Sequence, residues 1–330
     1  MIKAYWKIKN FIEALYQRYN GGSGLLAHKE DKRDKIFGGF FDKKPKFPSL
    51  SLAPKKWVFD QKYFNVCVFA SQILSDSYQE GMRFSVKFAV KCAKREGMIS
   101  GNGFSYLRAG LKIVKKYGRL PYELMPDEIN ESWAEYSKWD VTTAMLEEAK
   151  KWKAPSYKRI NNAGDAIQAL ESGLTLKTAN RWHSGMNNPK EPNFLIKVIG
   201  RYIGGHAFPS MSYKADNQIL KWWGVLQSFG RNYGDEGYAN IVQLFQKNNF
   251  AVYVVEKIKD RTDIQRFHGV YEGLCVKGSD SAIYLIDNGH KKPIKNWEAF
   301  EKMAQYKEKP KFYSVDDEIL NQIPNGKLII

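Results

Sequence analysis

One cysteine has neighbours that could support chemistry. Cys67 follows Gln61 by six residues. Apolar residues near it recur at the spacing of one helical face, at Val66, Phe69, Ala70, Ile73 and Leu74. The pattern predicts a helix that begins near the cysteine, with Asn65 as its N-cap. Because a helix N-terminus favours the thiolate, this indicates a reactive cysteine; an inert cysteine buried in a helix is the alternative.

A thiolate nucleophile needs a base, a group that orients the base, and donors for the oxyanion. The candidate bases are His28, His183, His206, His268 and His290. His206 stands out because it lies in Gly204-Gly205-His206-Ala207-Phe208, where the glycines allow a backbone or a substrate to approach. About twenty residues later, the polar Gln227 and the aromatic Phe229 lie among several glycines.

Together these three stretches resemble the papain-like cysteine peptidases. That family has a glutamine six residues before the cysteine, a Gly-His-Ala step, and then Asn-Ser-Trp-Gly followed by Trp-Gly-x-x-Gly-Tyr. The matching stretches here are Gln61 with Cys67, Gly205–Ala207, Gln227–Gly230 and Tyr233–Tyr238, in the same order. The resemblance covers roughly residues 45–250.

The resemblance implies an α+β fold of two lobes, with a cleft between them that binds an extended peptide. The cysteine would begin the central helix of the helical lobe, and the histidine would lie in a β-barrel lobe. Cys67 would be the nucleophile and His206 its base, held as a thiolate–imidazolium pair. Gln227 would orient His206, and Gln61 would form the oxyanion hole with the Cys67 backbone N–H.

The sequence departs from the family pattern in three places. Gln227 replaces the asparagine, and its extra methylene shifts the geometry by about an ångström, which can cost ~10²-fold in rate. Phe229 and Tyr233 replace tryptophans, and Phe64 stands where secreted members have a disulfide cysteine. The three cysteines, Cys67, Cys92 and Cys275, are widely spaced. They favour a reducing compartment and an intracellular or virus-encoded protein.

Other residues are candidates for substrate binding. Gly101 and Gly103 occur where the family has a glycine wall against the substrate, and an ordinary loop is the alternative. His183, in Arg181–Gly185, either lines the cleft or is a structural histidine. Phe229 would shield the site. The sequence has no CxxC pair and no HExxH motif, so we expect neither a metal nor a cofactor.

Composition narrows the class of protein. The 330 residues are 43% hydrophobic and 14% aromatic, which is typical of a globular protein. No apolar run would span a bilayer, and the N-terminus lacks the features of a signal peptide. The net charge of +17 favours acidic partners, including nucleic acid. No nucleic-acid-binding motif accompanies the charge, and a solvated basic surface explains it equally well.

The pattern along the chain predicts three parts. Residues 1–44 contain an amphipathic helix over 1–20 and a linker, residues 45–255 form the peptidase domain, and residues 256–330 form a small β-rich module. We expect the extended stretch Phe40–Pro54 to cross the surface of the catalytic domain or to occupy its cleft as a pro-segment would.

Two functions follow from these patterns. The first is a peptidase that acts on a peptide or protein substrate. The second is a structural or binding component of a larger assembly, such as a phage virion, that keeps the fold with weak or no activity and docks through residues 1–20 or 256–330. Nucleic-acid binding is a third hypothesis, which rests on the charge alone.

Overall fold

The computed structural model describes most of the chain between residues 57 and 256 and shorter stretches on either side. The described residues are 25–26, 34–37, 49–51, 57–242, 244–245, 249–256, 275–279, 281–287, 290–295, 297–301, 313–314 and 317–329. The helix expected over residues 1–20 lies outside them. The chain divides into two compact units, Met1–Gln79 with Arg83–Ile258, and Glu80–Met82 with Lys259–Ile330.

Six α-helices are described between residues 67 and 171. They are α1 (Cys67–Glu80), α2 (Val86–Arg95), α3 (Leu107–Lys116), α4 (Trp133–Tyr136), α5 (Thr143–Lys150) and α6 (Ala163–Glu171). Side chains at their N-caps fix several of the starts: Ser85, Thr142 and Asn162 each accept a hydrogen bond from a backbone N–H of the first turn. Every residue of α1 is buried, so this helix is the centre of the helical part.

Residues 49–255 contribute eight strands to one sheet. They are β1 (Ser49–Ser51), β2 (Tyr157–Ile160), β3 (Leu176–His183), β4 (Leu195–Ile196), β5 (Tyr202–Asp216), β6 (Ile219–Leu226), β7 (Tyr238–Ile241) and β8 (Asn249–Val255). Their order is β2-β8-β3-β5-β6-β7-β4, and β1 pairs with β5. Mixed helices and sheet confirm the α+β class.

The sheet differs from the expected β-barrel lobe because it does not close. Within the described residues, the end strands β2 and β4 do not pair with each other. They have only four and two residues, so neither offers a long edge for closure. Its apolar core includes Leu176, Trp182, Phe208, Trp223 and Val254.

The second unit contains a separate four-stranded sheet. Its strands are β9 (Cys275–Lys277), β10 (Ile283–Asp287), β11 (His290–Pro293) and β12 (Tyr313–Ser314), in the order β11-β10-β9-β12. Two short helices, α7 (Trp297–Glu301) and α8 (Asp317–Gln322), complete its described part. None of the helices in the described residues has the length and apolar character to cross a membrane.

Part of the N-terminal stretch lies along the first unit. Residues 49–51 of the predicted extended segment form β1, antiparallel to Ser212–Lys214 of β5, and the remainder of Phe40–Pro54 lies outside the described residues. Further upstream, the Phe37 N–H donates to the Arg159 carbonyl, and the Arg159 N–H donates to the Lys35 carbonyl. These backbone hydrogen bonds tie the segment to the rest of the first unit without requiring particular side chains.

A buried ionic cluster joins α1 to the sheet. Asp76 of α1 lies 2.6 Å from Arg119 Nε and 3.1 Å from Lys177 Nζ of β3, and all three side chains are fully buried. Gln72 donates a further hydrogen bond to Asp76. Burial alone would raise the pKa of Asp76, but the two cations outweigh burial and lower it.

Candidate functional site

Cys67 is the first residue of α1. The Val66 carbonyl accepts hydrogen bonds from the N–H groups of Phe69 and Ala70, so the helix begins one residue later than an Asn65 cap would place it. The Asn65 N–H instead donates to the Asn102 carbonyl at 2.8 Å. The predicted location of the cysteine at a helix N-terminus agrees with this geometry, but the predicted cap residue does not.

The Cys67 thiol is fully buried, and burial raises its pKa to about 12. The backbone N–H groups of Ala207, Val68 and Cys67 itself act in the opposite direction. Burial outweighs these donors, so a helix terminus alone does not produce the resting thiolate that the sequence suggested. A positive charge beside the sulfur would be required to stabilise the thiolate. The contact with the Ala207 N–H places the sulfur next to the residue that follows His206.

His206 lies in the middle of β5 and is fully buried. Its Nε2 atom is 2.9 Å from Gln227 Oε1. The Gln227 backbone N–H donates to the Gly237 carbonyl at 2.8 Å, which fixes the loop that presents this amide. The longer glutamine side chain therefore reaches the imidazole at an ordinary hydrogen-bond distance.

Aromatic rings enclose the imidazole. Phe229 stacks on the His206 ring with centroids 4.6 Å apart and planes inclined by 12°, and Trp182 approaches edge-on at 4.7 Å. Tyr233 packs against Phe229 at 5.3 Å, and its hydroxyl donates to the Met186 carbonyl. Phe229 and Trp182 thus cover the imidazole with aromatic surface, and Tyr233 supports Phe229.

Gln61 is held from the same loop. Its side-chain Oε1 accepts a hydrogen bond from Ser228 Oγ at 2.7 Å, and its backbone N–H donates to the Ser228 carbonyl at 2.8 Å. With the amide oxygen engaged, the amide NH₂ is the end that can donate to an oxyanion. Three consecutive residues, Gln227, Ser228 and Phe229, therefore contact His206 or Gln61.

The two predicted wall glycines have different surroundings. Gly103 has φ of +118°, and a Cβ there would lie 2.9 Å from the Asn65 carbonyl carbon, in the chain leading to Cys67. Gly101 has φ of +52° and meets only the Phe104 side chain, at 3.6 Å. Gly103 is therefore required for close packing beside the cysteine, whereas Gly101 is required by its backbone conformation.

His183 lies at the end of β3, away from His206. Its Nδ1 is 3.1 Å from the Gly200 carbonyl oxygen, and its ring is 5.9 Å from that of Tyr202. Asn180, three residues earlier, is the cross-strand neighbour of His206, so the strand rise separates His183 from that position by roughly 10 Å. Its contacts are those of a residue that stabilises the two ends of the connection between β3 and β5.

Leu25 crosses between the two sides of the site, which the sequence did not indicate. Its N–H donates to the Gly205 carbonyl at 3.3 Å, and the Leu26 N–H donates to the Ser105 carbonyl at 2.8 Å. Leu25 is only 6% exposed, and a Cβ on Gly205 would lie 2.8 Å from the Leu25 oxygen. An upstream segment thus pairs with the residue before His206 and with the chain just after Gly103.

Sequence comparison finds a distant relative among curated proteins. No protein-family model matches the chain. The chain is 23% identical over 169 residues to the cathepsin B-like protein CP3 of Giardia intestinalis, a match that covers 50% of this chain. The chain spans about half the length of that relative, 54%.

Comparison with solved structures identifies the fold. Xylellain, a cysteine protease from Xylella fastidiosa, matches with a TM-score of 0.62 at 18% identity, over 73% of this chain and 97% of its own. Procathepsin B S9 from Trypanosoma congolense matches with a TM-score of 0.53 at 14% identity, over 75% of this chain and 89% of its own. Bromelain from Ananas comosus, solved with the E64 inhibitor, matches with a TM-score of 0.50 at 15% identity, over 64% of this chain and 99% of its own. The chain therefore has the papain-like fold.

Proposed function

We propose that this protein is a cysteine peptidase that hydrolyses peptide bonds with Cys67 as nucleophile and His206 as base. The observation that carries the proposal is the buried hydrogen bond between His206 Nε2 and Gln227 Oε1, next to the contact between the Cys67 sulfur and the Ala207 N–H. A histidine oriented by an amide and adjacent to a helix-terminal cysteine is the arrangement that nucleophilic catalysis by a thiol requires.

The chemistry follows from these positions. The Cys67 thiol transfers its proton to the imidazole of His206, and Gln227 Oε1 accepts from the other ring N–H, which stabilises the imidazolium. The sulfur attacks the peptide carbonyl, while the Gln61 amide and the Cys67 backbone N–H stabilise the oxyanion. His206 then gives its proton to the departing amine as the C–N bond breaks, and water hydrolyses the resulting thioester.

The segment at Leu25 supports a latent form of this peptidase. Leu25 and Leu26 use backbone hydrogen bonds to Gly205 and Ser105, the positions on which an extended peptide beside His206 would pair. While the segment remains there, a substrate cannot use the same carbonyls. The proposal is therefore that release of Leu25 precedes substrate binding.

A peptide epoxide that reacts with thiols tests the assignment. We expect it to label Cys67 of the wild type at neutral pH, to leave Cys67→Ser unlabelled, and to label His206→Ala about 10²-fold more slowly, because the base is gone. Intact-mass analysis followed by peptide mapping measures the rate at Cys67. Cys92→Ser is the matched control, since it removes another buried thiol and should label at the wild-type rate. Equal rates with and without His206 would disprove the activated cysteine.

Ser228→Ala should reduce the rate of peptide hydrolysis by about tenfold. The substitution removes the hydroxyl that holds the Gln61 oxygen, so the Gln61 amide samples other orientations. The free energy lost is that of one hydrogen bond. The change should appear in kcat, because an oxyanion donor acts in the transition state. Ser210→Ala is the control, because this buried serine of β5 bonds the Gly224 carbonyl instead. Equal losses in both variants would contradict the role of Ser228.

The alternative is a component of a larger assembly that keeps the fold with little activity. The full burial of Cys67 and the segment at Leu25 favour it, because both describe a closed site. The labelling experiment decides between the two, since an assembly component has no need of a histidine-dependent thiol. Docking through residues 1–20 or 256–330, nucleic-acid binding through the basic surface, and an intracellular or virion location remain predictions.

A further inference from the structure

Two buried amide side chains adjoin His206. Gln227 is fully buried, with its Oε1 on His206 Nε2. Asn180 of β3 is 2% exposed and stands directly opposite His206 in the antiparallel pairing of β3 with β5. Residues directly opposite on antiparallel strands project from the same face, with Cβ atoms about 5 Å apart. Both amides therefore border one imidazole.

The remaining polar atoms of these amides are complementary. Among the residues that the structure describes, neither Asn180 Oδ1 nor Gln227 Nε2 has a hydrogen-bond partner. The first atom is an acceptor and the second is a donor. Because buried polar atoms in native proteins are almost always paired, an unpaired acceptor and an unpaired donor on side chains beside the same ring point to a pair with each other.

The length of Gln227 gives such a pair a function. Glutamine has one more rotatable bond than the asparagine found in papain-like peptidases, so a single hydrogen bond to His206 restrains the Gln227 amide less. A second hydrogen bond, at the amide nitrogen Nε2, would restrain the other end of the amide as well. Apolar residues, among them Trp182 and Phe208, occupy the same face of the sheet, so a buried amide there needs a polar partner.

We propose that Asn180 is a positioning residue, whose Oδ1 accepts a hydrogen bond from Gln227 Nε2 and so fixes the amide that orients His206. Asn180 acts through Gln227 and does not touch the reacting atoms. The pairing itself is a property of the folded chain, whereas its catalytic consequence rests on the peptidase function proposed above.

A double-mutant cycle on stability tests the pairing without any need for activity. Asn180→Leu leaves the Gln227 Nε2 unpaired and Gln227→Met leaves the Asn180 Oδ1 unpaired, so each should raise the unfolding constant by roughly tenfold, and Gln227→Met also loses the bond to His206. Because that second loss is common to Gln227→Met and the double variant, the double variant should be no less stable than Gln227→Met alone. Denaturant unfolding of the full chain measures all four proteins. If Asn180→Leu does not fold, Asn180→Ala takes its place in the cycle.

Thr178→Val is the matched control. Thr178 lies two residues before Asn180 on the same face of β3, is buried, and bonds the Phe208 carbonyl instead. Its effect should add to that of Gln227→Met. Additive effects of Asn180→Leu and Gln227→Met would overturn the pairing, whether or not the wild type hydrolyses peptides.

The pH dependence of peptide hydrolysis tests the positioning role. Asn180→Leu should lower kcat roughly tenfold at neutral pH and move the alkaline limb of the pH–rate profile to lower pH, because the imidazolium loses a well-oriented acceptor. In the Gln227→Met background the same change should have no further effect. An unchanged alkaline limb with a coupled stability cycle would assign the pair to folding alone and overturn its catalytic part. Failure of Cys67 labelling in the wild type would instead refute the peptidase function.

Discussion

Leu25→Asp is expected to raise the rate of peptide hydrolysis by about 10- to 100-fold. Burial of one leucine side chain contributes about 1.5–3 kcal/mol, and an ionised aspartate reverses that preference at a site that is only 6% exposed. The equilibrium then shifts from the segment seated on Gly205 towards an open site. The epoxide labelling rate of Cys67 should rise in parallel, because both reactions need access to the same sulfur.

Ile36→Asp is the control for this result. Ile36 belongs to the same upstream stretch, is 46% exposed and forms a bridge with Arg159 rather than with the site. The substitution should leave both rates unchanged. If Leu25→Asp folds normally and neither rate increases, the segment does not restrict access, and the latent form is refuted.

Asp76→Ala is expected to destabilise the protein by about 3–5 kcal/mol. The substitution leaves two fully buried cations, those of Arg119 and Lys177, without their carboxylate. It also removes a connection between α1 and β3, the two elements that support Cys67 and the cross-strand neighbour of His206. Denaturant unfolding should show a lower midpoint with an unchanged slope.

The cluster also predicts acid sensitivity with a definite sign. The pKa of Asp76 is lowered in the folded state, so its contribution to stability is fully present above the ordinary aspartate pKa of about 4 and is lost as the pH falls through the lowered value.

Asp216→Asn is the control for Asp76→Ala. Asp216 pairs with Lys221 on the exposed surface, so this substitution should cost less than about 1 kcal/mol of stability. A loss of stability in Asp76→Ala as small as that in Asp216→Asn would contradict the predicted contribution of the buried cluster.

Local patterns predicted one of the elements at the candidate site. The apolar spacing after Cys67 predicted a helix there, and the structure has α1 over Cys67–Glu80. The fifteen residues of β5 were not predicted as one strand, because Gly204, Gly205 and Pro209 interrupt the pattern. Pairing with β3 and β6 stabilises that strand against its own composition.

Contacts that depend on tertiary structure could not be predicted in this way. Nothing in the sequence near Leu25 indicates that it would pair with Gly205, 180 residues away. The open sheet depends on which strands meet at its ends, a property that no local period encodes. The Asp76 cluster joins three distant parts of the chain, and its members individually resemble surface charges.

Several contacts of the candidate site depend on a single loop, Gln227-Ser228-Phe229. Its three side chains contact the His206 nitrogen, the Gln61 amide and the face of the imidazole ring, so these three contacts depend on one stretch of backbone. A single substitution removes one of them, but a one-residue insertion after Leu226 would misdirect all three at once. Loop length between β6 and β7 is therefore under tighter constraint than the identity of any one side chain it carries.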